Sequence, residues 1–252
     1  MSKSFDLKDW LSDWPYNPEN TARIVRGSDG REIMQVRTPL GVEQFELQGR
    51  PDGLRPHNAE SALDFHRSRF DRMEKQGKAS SFSLNANDCA ELFEEGVLYY
   101  FRYLHLFQLH NWPRVIRDTA RNLALFDFVN RHAKREQDRL HLEQWRPYLL
   151  RMNAVARAML EWEAGRHDAA LRIARDAVEK IEALPELEAE SFHCERERSL
   201  EALQDLIKQI ERTQPLSERE LLERELRKAV EAEQFERAAS LRDRIRLLRT
   251  EG

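Results

Sequence analysis

The side chains able to do chemistry are few and scattered along the chain. His193 and Cys194 are adjacent, but the other cysteine, Cys89, is remote, so no set of metal ligands at a recognisable spacing forms. A buried thiol and a surface imidazole are the expected roles. His105 and His110 stand five apart and do not share a helical face, so packing or capping is expected of them. Arg50 and Asp52, in Gly49-Arg50-Pro51-Asp52-Gly53, place opposite charges at a turn that could hold a ligand. An Asp at such a turn also accepts backbone N–H groups, and that structural role is the expected one. The rings Phe93, Tyr99, Tyr100, Phe101, Tyr103 and Phe107 could line a pocket, and core packing is expected. Arg117, Arg121, Arg131, Lys134, Arg135 and Arg139 alternate with Asp118, Asp127, Glu136 and Asp138, which reads as a solvated face rather than a phosphate-facing surface. Neither GxGxxG nor GxxxxGK[ST] occurs. No catalytic set, cofactor site or metal site is expected, and the chain is read as non-enzymatic.

The bulk composition narrows the class. The 252 residues suit one large domain or two small ones. Gly and Pro number 9 each, too few for the turns of an all-β sandwich or barrel. The formal net charge is −4, from 41 basic and 45 acidic residues, so the basic excess of a general nucleic-acid binder is missing. Two cysteines make no disulfide framework. Mean hydropathy is −0.75 and no run of eighteen apolar residues occurs, so no membrane span is expected. The segment Met1–Trp10 is too polar for a signal peptide, and a cytoplasmic location is expected.

These residues need elements to position them. The first thirty residues read as an extended arm, since Pro15 and Pro18 exclude helix interior and Trp10 and Trp14 need a surface to lie on. Residues 31–38 and 42–48 read as the only two strands, a hairpin turning at Pro39-Leu40-Gly41. Alternation puts Met34 and Val36 on one face, with Phe45 and Leu47 as their counterparts. A lone hairpin is marginal, so it must dock on helices.

From residue 58 the periodicity is helical. Helices are expected over Asn58–Gln76, from an Asn87 or Asp88 cap to Leu109, from Pro113 onward, over Leu142–Ala164, over Asp168–Leu184 and over Glu186–Arg212. Leu200, Leu203, Ile207 and Ile210 form a stripe on the last of these. Thr213-Gln214-Pro215 reads as a linker, and Ser217 with Glu220 as a capping box. Two helix–turn–helix echoes appear, at Asn111-Trp112-Pro113 and at Gly165-Arg166-His167-Asp168. The second, with Ala170, Ala174 and Ala177 behind it, resembles a tetratricopeptide repeat turn and second helix. The reading is a mainly α fold with three parts: an arm and small β-hairpin over 1–57, a tetratricopeptide-like bundle of helical hairpins over 58–212, and an antiparallel two-helix hairpin over 216–249.

The terminal hairpin carries the most specific pattern. Leu222, Leu226 and Ala229 or Val230 line its first helix; Phe235, Ala238, Leu241, Ile245 and Leu248 line its second, around Ala232-Glu233-Gln234. Residues 218–236 hold 7 acidic and 4 basic side chains, and 237–249 hold 5 basic and 1 acidic, so the helices complement each other. The run Leu222–Ile245, with its Phe235-Glu236-x-Ala238-Ala239-x-Leu241-Arg242-Asp243 core, closely resembles the UVR motif. That helical hairpin occurs in the bacterial excinuclease subunits B and C, in activators of the protein-arginine kinase and in some protease adaptors. The resemblance covers about 30 residues. More loosely, Trp14-Pro15-Tyr16, Gln35-Val36-Arg37 and Gly49–Gly53 look like a group of bacterial UVR-motif proteins without an assigned activity. The activators' paired-cysteine modules have no counterpart here.

In that family the motif mediates protein–protein contact, often with another copy of itself. The resemblance therefore implies an adaptor that holds a protein partner, or a second copy, through Leu222, Leu226, Phe235, Ala238, Leu241 and Ile245, with Arg242 and Asp243 setting geometry by charge-assisted bonds. The motif's best-known hosts supply an alternative, an accessory factor recruited to DNA repair; direct nucleic-acid binding is not expected. An enzyme with an unfamiliar site around Arg50 and Asp52 is the third reading.

Overall fold

The computed structural model describes residues 7–213 and 218–248. Its sheet has three antiparallel strands in the order β1 (Ala22–Arg26), β2 (Glu32–Thr38) and β3 (Gly41–Glu46). The register pairs Ile24 with Met34, Ala22 with Val36, and Met34 with Phe45, so these five apolar residues share one face, with Glu43 and the Arg26–Glu32 pair at its margins. The sequence assigns β1 to an extended arm, and the structure corrects this. Ala-Arg-Ile-Val-Arg has too few apolar residues to announce a strand, and its pairing with β2 creates it. Thr38 pairs with Gly41, leaving Pro39 and Leu40 as a two-residue turn.

The arm covers the opposite face of the sheet. The Arg23 guanidinium lies 3.8 Å from the Trp14 ring centroid and 5.5 Å from that of Trp10, which belongs to the short helix α1 (Lys8–Asp13). Arg37 donates from Nε to the Trp14 carbonyl at 2.8 Å. Trp14 is thus half-buried against the sheet, whereas Trp10 stays 44% exposed, against the expectation that both rings are covered.

The arm, read from the sequence as extended, holds the short helix α1; the helices of the body begin with α2 (Ala62–Lys75), later than the sequence suggests, because Ser61 is its cap and accepts from the Asp64 N–H. Next, α3 (Ala86–Gln108) is capped by Asn85, not by Asn87 or Asp88. Asp88 completes a capping box by accepting from the Asn85 N–H. The chain continues through α4 (Trp112–His132), α5 (Glu136–Glu143), α6 (Arg146–Glu163), α7 (His167–Glu182) and α8 (Glu190–Thr213). Pro113 and Pro147 sit in first turns, where no intrahelical N–H is required. The sequence starts α8 at Glu186, but the helix begins four residues later, well clear of Pro185.

Three apolar clusters hold these pieces together. Met34, Val36, Phe45 and Leu47 of the sheet pack with Leu106, Trp112, Val115 and Ala156 of the helices. A second cluster joins Leu63, Leu92, Tyr103, Leu125, Phe126 and Leu149. Leu200 and Leu203 of the α8 stripe pack with Ala154 of α6 and Ala177 of α7.

The turns between paired helices repeat one geometry. At the end of α3, Asn111 N–H donates to Leu106 O (2.9 Å) and His110 N–H to Phe107 O (3.0 Å), with His110 at φ 53°. At the end of α6 the same bonds run from Arg166 to Glu161 (2.9 Å) and from Gly165 to Trp162 (2.8 Å), with Gly165 at φ 74°. These are Schellman closures, and the next helix starts one residue later. The two echoes in the sequence are therefore one structural turn used twice.

A third copy closes α9 (Glu218–Glu231) onto α10 (Phe235–Leu248). Gln234 N–H donates to Ala229 O (2.8 Å) and Glu233 N–H to Val230 O (3.0 Å), with Glu233 at φ 55°. Contacts divide the chain into two compact units that meet between Lys208 and Gln209. Gln214, Pro215 and the Ser217 cap fall outside the described residues, as do the side chains of Glu220 and Leu248.

Candidate functional site

The C-terminal hairpin sorts its apolar residues into two sets. Leu222 and Ala229 of α9 meet Ala238 and Leu241 of α10 in a buried seam, flanked by Leu226 and Ile245. The remaining apolar residues near the turn face outward: Val230 is 52% exposed and Phe235 is 70% exposed. Arg242 and Asp243 are exposed on α10. Arg237 reaches across the hairpin to Glu225, Nη2 to Oε2 at 3.7 Å. The residues grouped by sequence as contact positions therefore divide. Leu222, Ala238 and Leu241 hold the hairpin closed, and Phe235 stands at its tip.

The repeated turn shows why that exposure is informative. Trp112 occupies the first helical position after the α3–α4 turn, where Phe235 stands after the α9–α10 turn. Trp112 is 3% exposed, and its indole Nε1–H donates to Glu163 Oε1 at 2.7 Å. It packs with Val115 and Ala156. The same turn thus places a ring that a neighbouring helix covers in the first unit, and a ring that faces outward in the second.

Arg50 and Asp52 belong to a second, polar constellation. Asp52 Oδ1 accepts the Leu54 N–H at 3.0 Å, the turn role its residue type suggests. Arg50 Nε lies 3.2 Å from Asp52 Oδ1 and 3.6 Å from Glu95 Oε2, without hydrogen-bond geometry to either. Glu95 is fully buried and anchors the start of α2, accepting from the Ala62 N–H (2.7 Å) and the Leu63 N–H (3.1 Å), and it pairs with Arg121. The guanidinium groups of Arg121 and Arg102 lie over the Tyr99 ring at 4.0 and 4.7 Å.

Arg102 is the centre of this network. Its Nε and Nη2 donate to the two oxygens of Asp118 at 2.7 and 2.8 Å, and Nη1 donates to the carbonyls of Glu46 and Gly49, both at 2.8 Å. The end of β3 and the following turn are thereby tied to α3 and α4. The sequence reads Asp118 as part of a solvated face, yet it is completely buried, because Arg102 from the preceding helix, α3, reaches it. Asp138 is also buried, paired with Arg135. The carboxylates of Glu95 and Asp118 are occupied by helix amides and guanidinium groups.

The remaining candidates divide: of the α3 rings, Tyr99 and Tyr103 are buried as core packing requires, whereas Phe101 is 44% exposed. Cys89 is buried, and its thiol is pushed up to about 12, by burial first and then by Asp138 and Asp88. Cys194 is exposed. His110 takes the left-handed turn position and stacks on Trp112 at 5.0 Å. Among the described residues no group of His, Cys, Asp or Glu is arranged to hold a metal ion, and no helix is long and apolar enough to cross a membrane.

One cluster outside the sequence reading is pH-sensitive. Buried His66 offers Nδ1 to Arg69 Nη1 at 2.9 Å and Nε2 to Glu91 Oε2 at 3.2 Å. Arg69 can only donate, so Nδ1 accepts and Nε2 carries the proton toward Glu91. Burial lowers the His66 pKa from 6.5, outweighing Glu91 and Asp88, and Arg69 acts in the same direction as burial. His132 is lowered by burial too. The unfolded chain therefore binds these protons more readily than the folded one. Their contribution to stability is complete above pH 6.5 and declines as pH falls below it. Melting temperatures at pH 7.5 and 5.5 should show a smaller acid loss in His66→Gln than in the wild type; equal losses would remove His66 from the account.

Comparison with known proteins agrees with the hairpin geometry. The UVR family, described as the UvrB/uvrC motif, matches residues 217–251. No curated protein and no solved structure matches the chain. A motif found in nucleotide excision repair proteins is thus present over the region that forms α9 and α10.

Proposed function

We propose that the protein is a non-enzymatic adaptor that captures a protein partner, or a second copy of itself, through the tip of its C-terminal hairpin. The observation that carries this is Phe235, 70% exposed at the turn position where Trp112 is covered. A ring of that size left in water favours burial by about 25 cal/mol per Å² of apolar surface, so covering it supplies a driving force for association. Val230 adds a second apolar side chain beside the turn. Arg242 and Asp243 give orientation by charge-assisted bonds rather than bulk affinity. The helical pairs α3–α4 and α6–α7 are read as tetratricopeptide-like, a platform for a second partner.

The motif match also favours a narrower reading, an accessory factor brought to DNA repair by protein contact. Residues 186–252 carry 13 basic against 17 acidic side chains, which opposes direct contact with a phosphate backbone. No shift of duplex or single-stranded DNA is expected in gels at low salt.

The test is affinity capture from native lysate with the full chain and with a chain ending at Gln214, read by mass spectrometry. Partners lost on truncation would belong to the hairpin and name the pathway. Identical partner lists would refute capture through the hairpin.

A further inference from the structure

We propose that a cleft in the first unit, between α3, α4, α6 and α8, binds a small molecule: a flat, mostly apolar ring system carrying an N–H or O–H donor. The cleft has a volume of about 420 Å³, within the roughly 300–1,000 Å³ range of small-molecule sites. Six rings line it, from Phe93, Tyr100, Tyr103, Phe126, Trp145 and Tyr148. Tyr100 meets Tyr103 edge-on at 5.6 Å and 88°, and meets Tyr148 at 6.0 Å and 57°. Walls of tilted rings offer both faces and edges to a planar guest.

Gly96 is the observation that separates a ligand site from loose packing. It lies inside the 23-residue helix α3, is buried, and lines the cleft. A Cβ built on it meets nothing within 4 Å. Its backbone is helical, so no turn or left-handed conformation requires glycine there. Glycine ranks below every residue but proline as a helix former. The helix therefore gives up stability at Gly96 for space that no side chain of the protein fills. At the mouth, Val97 and Trp145 are large apolar residues left exposed.

Glu195 supplies the polar selection. It is the lining carboxylate, and its neighbours hold it loosely: Arg198 Nη1 lies 3.4 Å from Oε1 and Arg151 Nη2 lies 3.8 Å from Oε2. A carboxylate only accepts hydrogen bonds, so the guest must bring a donor. Burial holds the Tyr103 and Tyr148 phenols above their ordinary pKa, so both stay neutral.

The test uses indole and 1-methylindole, the same ring with and without the donor, titrated against the full chain by saturation-transfer NMR. Indole is expected to bind, with 1-methylindole weaker by about tenfold, the order of a hydrogen bond to a charged acceptor. Gly96→Leu should abolish binding of both, while Gly96→Ala should raise the melting temperature and keep indole binding. Glu195→Ala, at the rim, should bring the two affinities together even if Gly96→Leu fails to fold. Absence of saturation transfer at millimolar indole would overturn the proposal. So would an unchanged indole preference in Glu195→Ala.

Discussion

Asp118→Ala is expected to destabilise the first unit by about 3–5 kcal/mol, the cost of removing one partner from a buried ion pair. The side chains of Asp118 and Arg102 are both 1% exposed, and their bidentate contact excludes water from both charges. Truncation leaves the Arg102 guanidinium buried, with only the Glu46 and Gly49 carbonyls as acceptors. It also strips Arg117 of its contact to Asp118 at 2.9 Å. The penalty comes from the orphaned charge rather than from the net worth of the pair. Arg102→Met combined with Asp118→Leu should therefore recover most of the loss, since an apolar pair of similar volume leaves no charge to desolvate. Urea unfolding of the two single variants and the double variant measures this. A loss below about 1 kcal/mol for Asp118→Ala would show that water reaches the pair.

That pair also marks where sequence reading stops. Arg102 and Asp118 are sixteen residues apart on different helices, and charged residues at that separation read as surface. One signal was available: Arg102 sits among Tyr99, Phe101, Tyr103 and Leu106, on a helix whose apolar residues surround it, so its charge had to find a partner. The apolar registers were more legible. Met34, Val36, Phe45 and Leu47 face the core as their alternation demands, because period two leaves one choice of face. Strand β1 was not legible, since five residues with two arginines gain their pairing only from β2. The turns at His110 and Gly165 show in the sequence as breaks between periodic helices. The turn at Glu233 carries no glycine to announce its left-handed residue. Its kinship with the other two emerges only from the hydrogen bonds. That kinship aligns Phe235 with Trp112 and separates it from the residues that hold the hairpin closed.

Phe235→Ala is accordingly expected to weaken partner binding by about 2–4 kcal/mol, the range of a central aromatic anchor, or roughly 30- to 1,000-fold. The same change should leave the hairpin folded, because Phe235 lies outside the seam. Leu241→Ala should do the reverse in mechanism. It opens the seam between Leu222, Ala229 and Ala238, at about 2–5 kcal/mol, more than a two-helix unit can lose. Binding then falls because the surface has melted. Circular dichroism on the full chain separates the two: helicity is retained in Phe235→Ala and reduced in Leu241→Ala. Val230→Glu, beside the tip and outside the seam, should mimic Phe235→Ala by adding a desolvation cost to the interface. If Phe235→Ala and Val230→Glu both leave affinity within twofold of wild type, the contact lies elsewhere on the hairpin. The exposed Arg242 and Asp243 on α10 then become the next residues to change.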